Sequence, residues 1–403
     1  MPPPQIDPAL VFESGHAGPG THVLLVGIGA YTSLLDGEAE NVAIADGMGQ
    51  LTPPPHSVKA LVDWFLGDDF VNPDHPLASL AVVVSDDEPW DYQHPKRNSG
   101  AGPVPRGDIP DVVDAIRKWV ERASQHQDCN TIFYFCGHGT YAGNTVLLCR
   151  DYGSVAQDRF DGSLNFTNFV AAMETKLPER QLFIVDACRT PDPTTNLLLN
   201  PHNGSGRNPI TSSPLHERGG KVAGLSVHFA SSVLEPSYGR TDNISICADA
   251  FLRALAGGGS QTEDDMWVGT NGLHDAFCTF VPKLAREAGA VQEPDRTRAK
   301  NFRISKPEHV KVPVYVTCNP AEAWQSPFSL DAACDGGASS LIHEHDPIAN
   351  PGAREAEIPL VCGQYRFTVA FGPQTPFAEG MRDRVLVVPP AVPVRLDIQR
   401  RNP

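Results

Sequence analysis

Thr131-Ile-Phe-Tyr-Phe-Cys-Gly-His138-Gly139 and Gln181-Leu-Phe-Ile-Val-Asp-Ala-Cys188-Arg189 decide how this chain folds. Each is an apolar run rich in Ile, Phe, Val and Tyr, the pattern of a strand buried on both faces of a parallel sheet. In such sheets chemistry gathers beyond the carboxyl ends of the strands. His138 and Cys188 close the two runs, so both are expected on one rim. A thiolate attacks a carbonyl well, but a free Cys is only slightly ionised at neutral pH. A neighbouring imidazole takes the proton and later returns it to the leaving amine. Gly139 lets a backbone N–H come close to an oxyanion beside the amide of Cys188. The bland alternative is a core thiol and an incidental loop His, because Cys is among the most buried residue types.

Working outward, strand-like runs at about 22–29, 80–85, 181–186, 225–231 and 313–318 join the one at 131–136. Helix-like stretches near 56–67, 109–125, 165–176, 243–256 and 270–287 separate them, which implies α/β crossovers. In the second helix Pro110 stands at the entry, and Val113, Ile116, Val120 and Ala123 recur at helical spacing, predicting a sheet-facing stripe. Trp119 is read as part of that packing. After about residue 335 the pattern changes: Gly363–Phe371 alternates, and two further strands follow near 384–388 and 392–398 between Pro/Gly turns. The expected fold class is α/β, a mostly parallel sheet flanked by helices, with a small C-terminal all-β appendage. The expected division is an N-terminal extension at 1–20, a main domain at 21–334 and a β-rich domain at 335–403.

These motifs resemble the caspase-like cysteine peptidases, and within them the bacterial metacaspase or orthocaspase branch. Phe135-Cys-Gly-His138-Gly139 is similar to the family's histidine motif and Val185-Asp-Ala-Cys188-Arg189 to its cysteine motif. The two residues lie 50 positions apart, as in the caspase signature. Thr21–Tyr31 resembles the first strand and its turn, and Val227–Ser232 with Ser245–Leu255 the strand and helix after the nucleophile. The resemblance implies catalysis by His138 and Cys188, with Gly139 and Cys188 amides at the oxyanion. It also implies that Asp186, where metacaspases carry Asp, recruits Arg or Lys ahead of the scissile bond. Alternation points Asp186 toward the same face as Cys188; the competing reading is a turn cap or a pair with Arg189.

Where metacaspases have an Asn-Asp-Ala helix start, His56-Ser-Val-Lys-Ala60 lacks the acid. The stretch Leu34–Gly47 offers Glu40 or Asp46 to the pocket instead; the alternative is that it simply covers the sheet. Residues 190–221, Pro-, Asn-, Gly- and Ser-rich, correspond to the family's inter-subunit linker, with Arg207, Arg218 and Lys221 as self-cleavage points; an uncleaved gating loop is the alternative. A segment at about 88–108 could overhang the cleft. No cofactor or metal is expected. Calcium through Asp86-Asp87-Glu88 or Glu263-Asp264-Asp265 is the weaker reading, because calcium needs six to eight converging oxygens.

The 403 residues can bury a large interior, and a net charge of −16 disfavours nucleic acid and anionic membranes as partners. Nine irregularly spaced cysteines argue against a disulfide framework and for a reducing, cytoplasmic setting. The amino terminus lacks a signal-peptide pattern, and no apolar run reaches membrane-spanning length. The expected function is therefore a cytoplasmic cysteine endopeptidase acting on proteins or peptides after Arg or Lys through an acyl-enzyme. Self-cleavage, a regulatory protein and a defence or cell-death pathway are compatible with it. A caspase-like scaffold that binds peptides without turnover, or another acyl-transfer chemistry on the same pair, are the alternatives.

Overall fold

The computed structural model describes residues 7–100, 102–141, 143–155, 157–176, 178–190, 206–210, 224–233, 235, 237, 240–334, 337 and 340–401. The chain divides into two compact units, residues 1–252 with 269–306, and residues 253–268 with 307–403.

In chain order the first unit contains β1 (Leu10–Glu13), β2 (Thr21–Ile28), β3 (Leu77–Ser85), β4 (Asn130–Cys136), β5 (Gly139–Tyr141), β6 (Thr145–Leu148), β7 (Ser163–Asn165), β8 (Arg180–Asp186), β9 (Gly224–Phe229) and β10 (Asp295–Thr297). Its helices are α1 (Val42–Ala45), α2 (Pro53–Leu66), α3 (Ile109–Ala123), α4 (Phe166–Met173), α5 (Ile246–Arg253) and α6 (Thr270–Glu287). The main sheet has the order β1-β3-β2-β4-β8-β9-β10. Its five inner strands run parallel, and β1 and β10 are antiparallel edges. β1 lies within the stretch read from sequence as an N-terminal extension, and Asp7 pairs with Arg122 of α3 at 2.7 Å.

β4 is buried at every position: Ile132–Cys136 is apolar, and the side chains of Asn130 and Thr131 donate to the Arg303 and Arg180 carbonyls. Phe133, Phe166, Phe169 and Phe183 pack mutually, with ring centroids between 5.4 and 6.4 Å apart. Each such ring contributes roughly 2–3 kcal/mol through burial. On α3 the buried stripe is Val112, Ile116, Trp119, Val120 and Ala123, while Val113 is half-buried. Trp119 donates its indole N–H to the His22 carbonyl at 3.0 Å, so its polar edge is satisfied within the packing.

The second unit is all-β apart from short helical turns: β11 (Lys311–Asn319), β12 (Phe328–Cys334), β13 (Ser340–His345), β14 (Ala356–Val361), β15 (Gly363–Phe371), β16 (Phe377–Val387) and β17 (Val392–Arg400). Its sheet order is β13-β12-β15-β16-β17-β11-β14. The β region therefore begins near residue 307 rather than 335. The run at 313–318 belongs to this sheet, not to the α/β sheet. Val312, Val314, Val316 and Cys318 face its core. Pro313 and Tyr315 at the intervening positions are apolar as well, which hides the alternation and imitates a strand buried on both faces.

Candidate active site

Register places the site. Cys136 of β4 pairs with Asp186 of β8, so His138 and Cys188 each lie two residues beyond paired positions on adjacent parallel strands. Both reach the same rim, and together with Gly137, Asp186, Ser237, Ser245, Cys136, Leu51, Pro53 and Pro54 they line a cavity of about 120 Å³.

The imidazole of His138 is held from two sides. Its Nε2 lies 2.8 Å from the Gly49 carbonyl, and a carbonyl only accepts, so Nε2 carries the hydrogen and Nδ1 presents its lone pair. Its backbone N–H donates to the Tyr31 hydroxyl at 2.7 Å, and the Tyr31 ring centroid stands 5.0 Å from the imidazole. Burial pushes the imidazole below its usual range, against the Gly49 bond, so the ring is neutral at pH 7.

The Cys188 sulfur accepts from the Ser237 N–H at 3.2 Å and lies 3.5 Å from the Ser237 carbonyl. Burial pushes the thiol up, the Ser237 N–H opposes this, and the Asp186 charge adds to it. At rest the site thus holds a thiol and a neutral imidazole rather than an ion pair. Gly139 is packed so closely that a Cβ would lie 2.8 Å from the Cys188 carbonyl and 2.9 Å from the Ala187 side chain. Any larger residue there would force the two rim loops apart.

Asp186 is 4% exposed at the cavity's inner end. Tyr134 donates to Oδ2 at 2.9 Å, Ser237 to Oδ1 at 3.2 Å, and Ser245 and the Cys136 thiol also bond to the carboxylate. Burial pushes its pKa up and these donors pull it back. Among the described residues no cation pairs with it. Arg189 turns away, donating to Asp295 at 2.7 Å with its guanidinium 3.8 Å from the Phe229 ring centroid.

Several contributors carry weak sequence signals. Ser57, in the helix start that lacks an acid, donates to the Pro53 carbonyl at 2.8 Å and accepts from the Ser245 N–H at 3.0 Å. Ser245 caps α5, accepting from the Ala248 N–H at 3.0 Å, a pattern visible as a Ser just before a helical run. Glu40 accepts from the Asp36 N–H at 2.9 Å and Asp46 ends α1 with φ 47°; both are exposed and neither lines the cavity. Their stretch leads instead into Gly49, whose carbonyl holds His138. The described residues of the segment at 88–108 do not line the cavity: Trp90 and Tyr92 stack at 4.9 Å, and Tyr92 donates to Asp63 of α2.

Arg207 is bridged to Leu164 of β7, with its N–H on the Ser163 carbonyl at 2.7 Å and its guanidinium on Asp161 at 2.6 Å. Arg218 and Lys221 lie outside the described residues. Among the described residues no three His, Cys, Asp or Glu side chains are grouped to hold a metal ion, and no helix is long and apolar enough to cross a membrane.

Residues 108–285, which include His138, Asp186 and Cys188, match the family model of the caspase domain. Over that segment the chain is caspase-like. By class, caspase domains are cysteine-peptidase domains. The uncharacterized protein y4kE of Sinorhizobium fredii (strain NBRC 101917 / NGR234) is 28% identical over 173 residues, 38% of this chain and 49% of that protein. The chain thus spans about half the length of this relative. Among solved structures, caspase-1 from Spodoptera frugiperda aligns over 74% of this chain and 94% of its own, at 13% identity and a TM-score of 0.43.

Proposed function

We propose that the caspase-like domain is a cysteine endopeptidase of the metacaspase kind, cutting after Arg or Lys. The observation that carries this reading is one cavity with a Cys and a His at its rim and a buried carboxylate, paired with no cation among the described residues, at its inner end. In the proposed cycle the Cys188 proton passes to Nδ1 of His138 as sulfur bonds to the scissile carbonyl carbon. The Gly139 and Cys188 amides receive the oxyanion. Collapse breaks the C–N bond, and His138 protonates the departing amine. Water, deprotonated by the same imidazole, then hydrolyses the thioester, releasing the acid and regenerating the thiol. A substrate Arg or Lys reaches Asp186, where charge complementarity selects it.

Self-cleavage in the linker after Arg218 or Lys221 belongs to this proposal. Arg207 is a poorer site, because its main chain is already paired with β7. A cytoplasmic setting and a protein substrate complete it. The deciding experiment is hydrolysis of fluorogenic peptides ending in Arg, Lys, Asp or Leu by the wild-type chain and Cys188→Ala, with and without calcium. Turnover confined to Arg and Lys and lost in the variant supports the reading. Cleavage after Asp overturns the role of Asp186, and Cys188-independent turnover overturns the nucleophile. Peptide binding without any turnover favours the scaffold instead.

A further inference from the structure

We propose that the second unit carries a binding groove for an extended acidic peptide segment of a partner protein, where the ladder between β16 and β17 lapses. β16 pairs with β15 from Glu379 to Val387, yet with β17 only at Phe377↔Arg400 and Gly380↔Ile398. On its other side β17 pairs with β11 from Val392 to Asp397. Among the described residues no ladder pairs join Met381–Val387 to Val392–Asp397, although the two strands remain neighbours in the sheet, so main-chain groups on both facing edges lack ladder partners.

The lapse has a cause in the sequence. Arg366 of β15 opposes both Asp383 and Arg384, and Arg384 takes a left-handed φ of 54°. This is a β-bulge, which bends its strand and ends pairing with the next one. Arg366 fixes the bulge by holding Asp383 at 3.1 Å. Just before it, Gly380 lets the strands touch, since a Cβ there would lie 2.8 Å from the Asp397 carbonyl.

The resulting groove has a volume of about 500 Å³ and reaches down to Val394, a core residue that is 2% exposed. Arg382, Arg384 and Arg395 line it and are exposed. Its carboxylates are already engaged: Asp383 by Arg366, and Asp397 by Asn319 at 2.8 Å, while Glu355 is not free either. Among the described residues no salt bridge joins Arg382 to a carboxylate, Arg384 stabilises the neighbouring Asp383 charge, and Arg395 is 4.0 Å from Asp397.

Open strand edges are matched by another peptide main chain, as in strand addition to a sheet. Planar guanidiniums are matched by carboxylates, which they grip with two parallel hydrogen bonds. Alternating acidic residues on an extended peptide satisfy both demands at once. A nucleic acid would satisfy only the charge, and a chain of net charge −16 repels a long polyanion beyond the groove.

The test is fluorescence anisotropy of a labelled hexapeptide of alternating Glu and Val with the full chain; lacking Arg and Lys, the probe does not depend on the peptidase reading. Saturable binding is expected, weakened about tenfold by Arg382→Ala or Arg395→Ala, each of which removes one partly exposed charge-assisted contact. Binding is also expected to be lost when Gln replaces Glu in the peptide, and weakened when alternate peptide nitrogens are methylated. These peptide changes leave the protein untouched. Absence of saturable binding, indifference to both Arg substitutions, or equal binding of the methylated peptide overturns the proposal. So does stronger binding by a single-stranded oligonucleotide of equal charge, which would make the groove a nucleic-acid site.

Discussion

Removing the side chain of Gln50 should disable His138 without touching it. Gln50 accepts the Tyr31 N–H at 2.6 Å and donates to the Leu35 carbonyl at 2.8 Å and the Tyr31 carbonyl at 3.2 Å. It follows Gly49, the acceptor for Nε2 of His138, and grips Tyr31, the acceptor for the His138 N–H. One amide therefore ties together both residues that hold the imidazole. Three part-buried hydrogen bonds at about 1 kcal/mol each put the stability loss in Gln50→Ala near 3 kcal/mol. The functional loss comes through geometry, because a displacement of about 1 Å at a reacting group costs on the order of 100-fold. On the Arg-peptide assay kcat should fall roughly 10- to 100-fold while KM stays within about threefold, since Gln50 lies outside the cavity lining. NMR of the imidazole nitrogens gives a readout that global softening does not move: wild-type His138 should be the Nε2–H tautomer, and Gln50→Ala a mixture. Tyr31→Phe removes one support and should give a smaller kcat loss with the Nε2–H tautomer kept. A folded Gln50→Ala with wild-type kcat and an unchanged tautomer would refute the clamp.

Four further outcomes are expected. Asp186→Asn keeps the shape but removes the charge, so kcat/KM for Arg peptides should drop about 10- to 100-fold, matching 1.5–3 kcal/mol for a charge-assisted bond, while melting temperature holds or rises. The acid limb of kcat/KM should fall below pH 6.5, because burial lowers His138 from that value and only the neutral ring serves as base; a limb above 6.5 would contradict the desolvated imidazole. His22, buried beside Ser79, is pushed down to about 4, so below pH 6.5 the unfolded chain takes a proton that the fold refuses. Stability is then full above 6.5 and falls by about 3 kcal/mol toward pH 4; His22→Gln should flatten that part of a denaturant-midpoint titration, and an unaltered slope would remove His22 as its source. Gly139→Ala should cost about 1–3 kcal/mol through overpacking against the Cys188 carbonyl and slow turnover, checked by thermal melts and kinetics side by side.

The parallel core was legible because β-branched and aromatic runs closed by Gly-His-Gly and Ala-Cys-Arg have few other ways to fold. Strands Thr21–Ile28, Asn130–Cys136 and Arg180–Asp186 lie within about a residue of their expected spans, and α6 matches its expected span. The rim position of His138 and Cys188 followed from strand polarity alone. What stayed hidden depends on backbone and on distant partners. Gly49 acts through a carbonyl, which any residue possesses, so no side-chain pattern could announce it. Ser237 and Ser245 reach the site from a segment well beyond Cys188 in the chain, and Gln50 acts on it through Tyr31 and Gly49. The edge strand Leu10–Glu13 is too short to show a period, and Lys311–Asn319 was assigned to the wrong sheet because Pro313 and Tyr315 masked its alternation.

Asp186 shows why the nearest cation had to be removed before a pocket could exist. A carboxylate taken out of water is costly unless paired, and in this unit other partly buried charges are paired within the chain, as Arg150 is with Asp108 at 3.0 Å and Arg122 with Asp7 at 2.7 Å. Arg189, three residues from Asp186, would be the obvious partner, yet Asp295 and the Phe229 ring hold it elsewhere. Among the described residues the donors left to Asp186 are hydroxyls and a thiol, which satisfy its lone pairs without supplying a countercharge. The desolvation of that carboxylate is thus completed during folding, before any ligand arrives. A guanidinium or ammonium entering the cavity meets an acceptor whose burial has already been borne by the fold, while an acidic side chain meets an uncompensated negative charge. In the proposed peptidase, selectivity resides as much in where Arg189 is held as in the presence of Asp186.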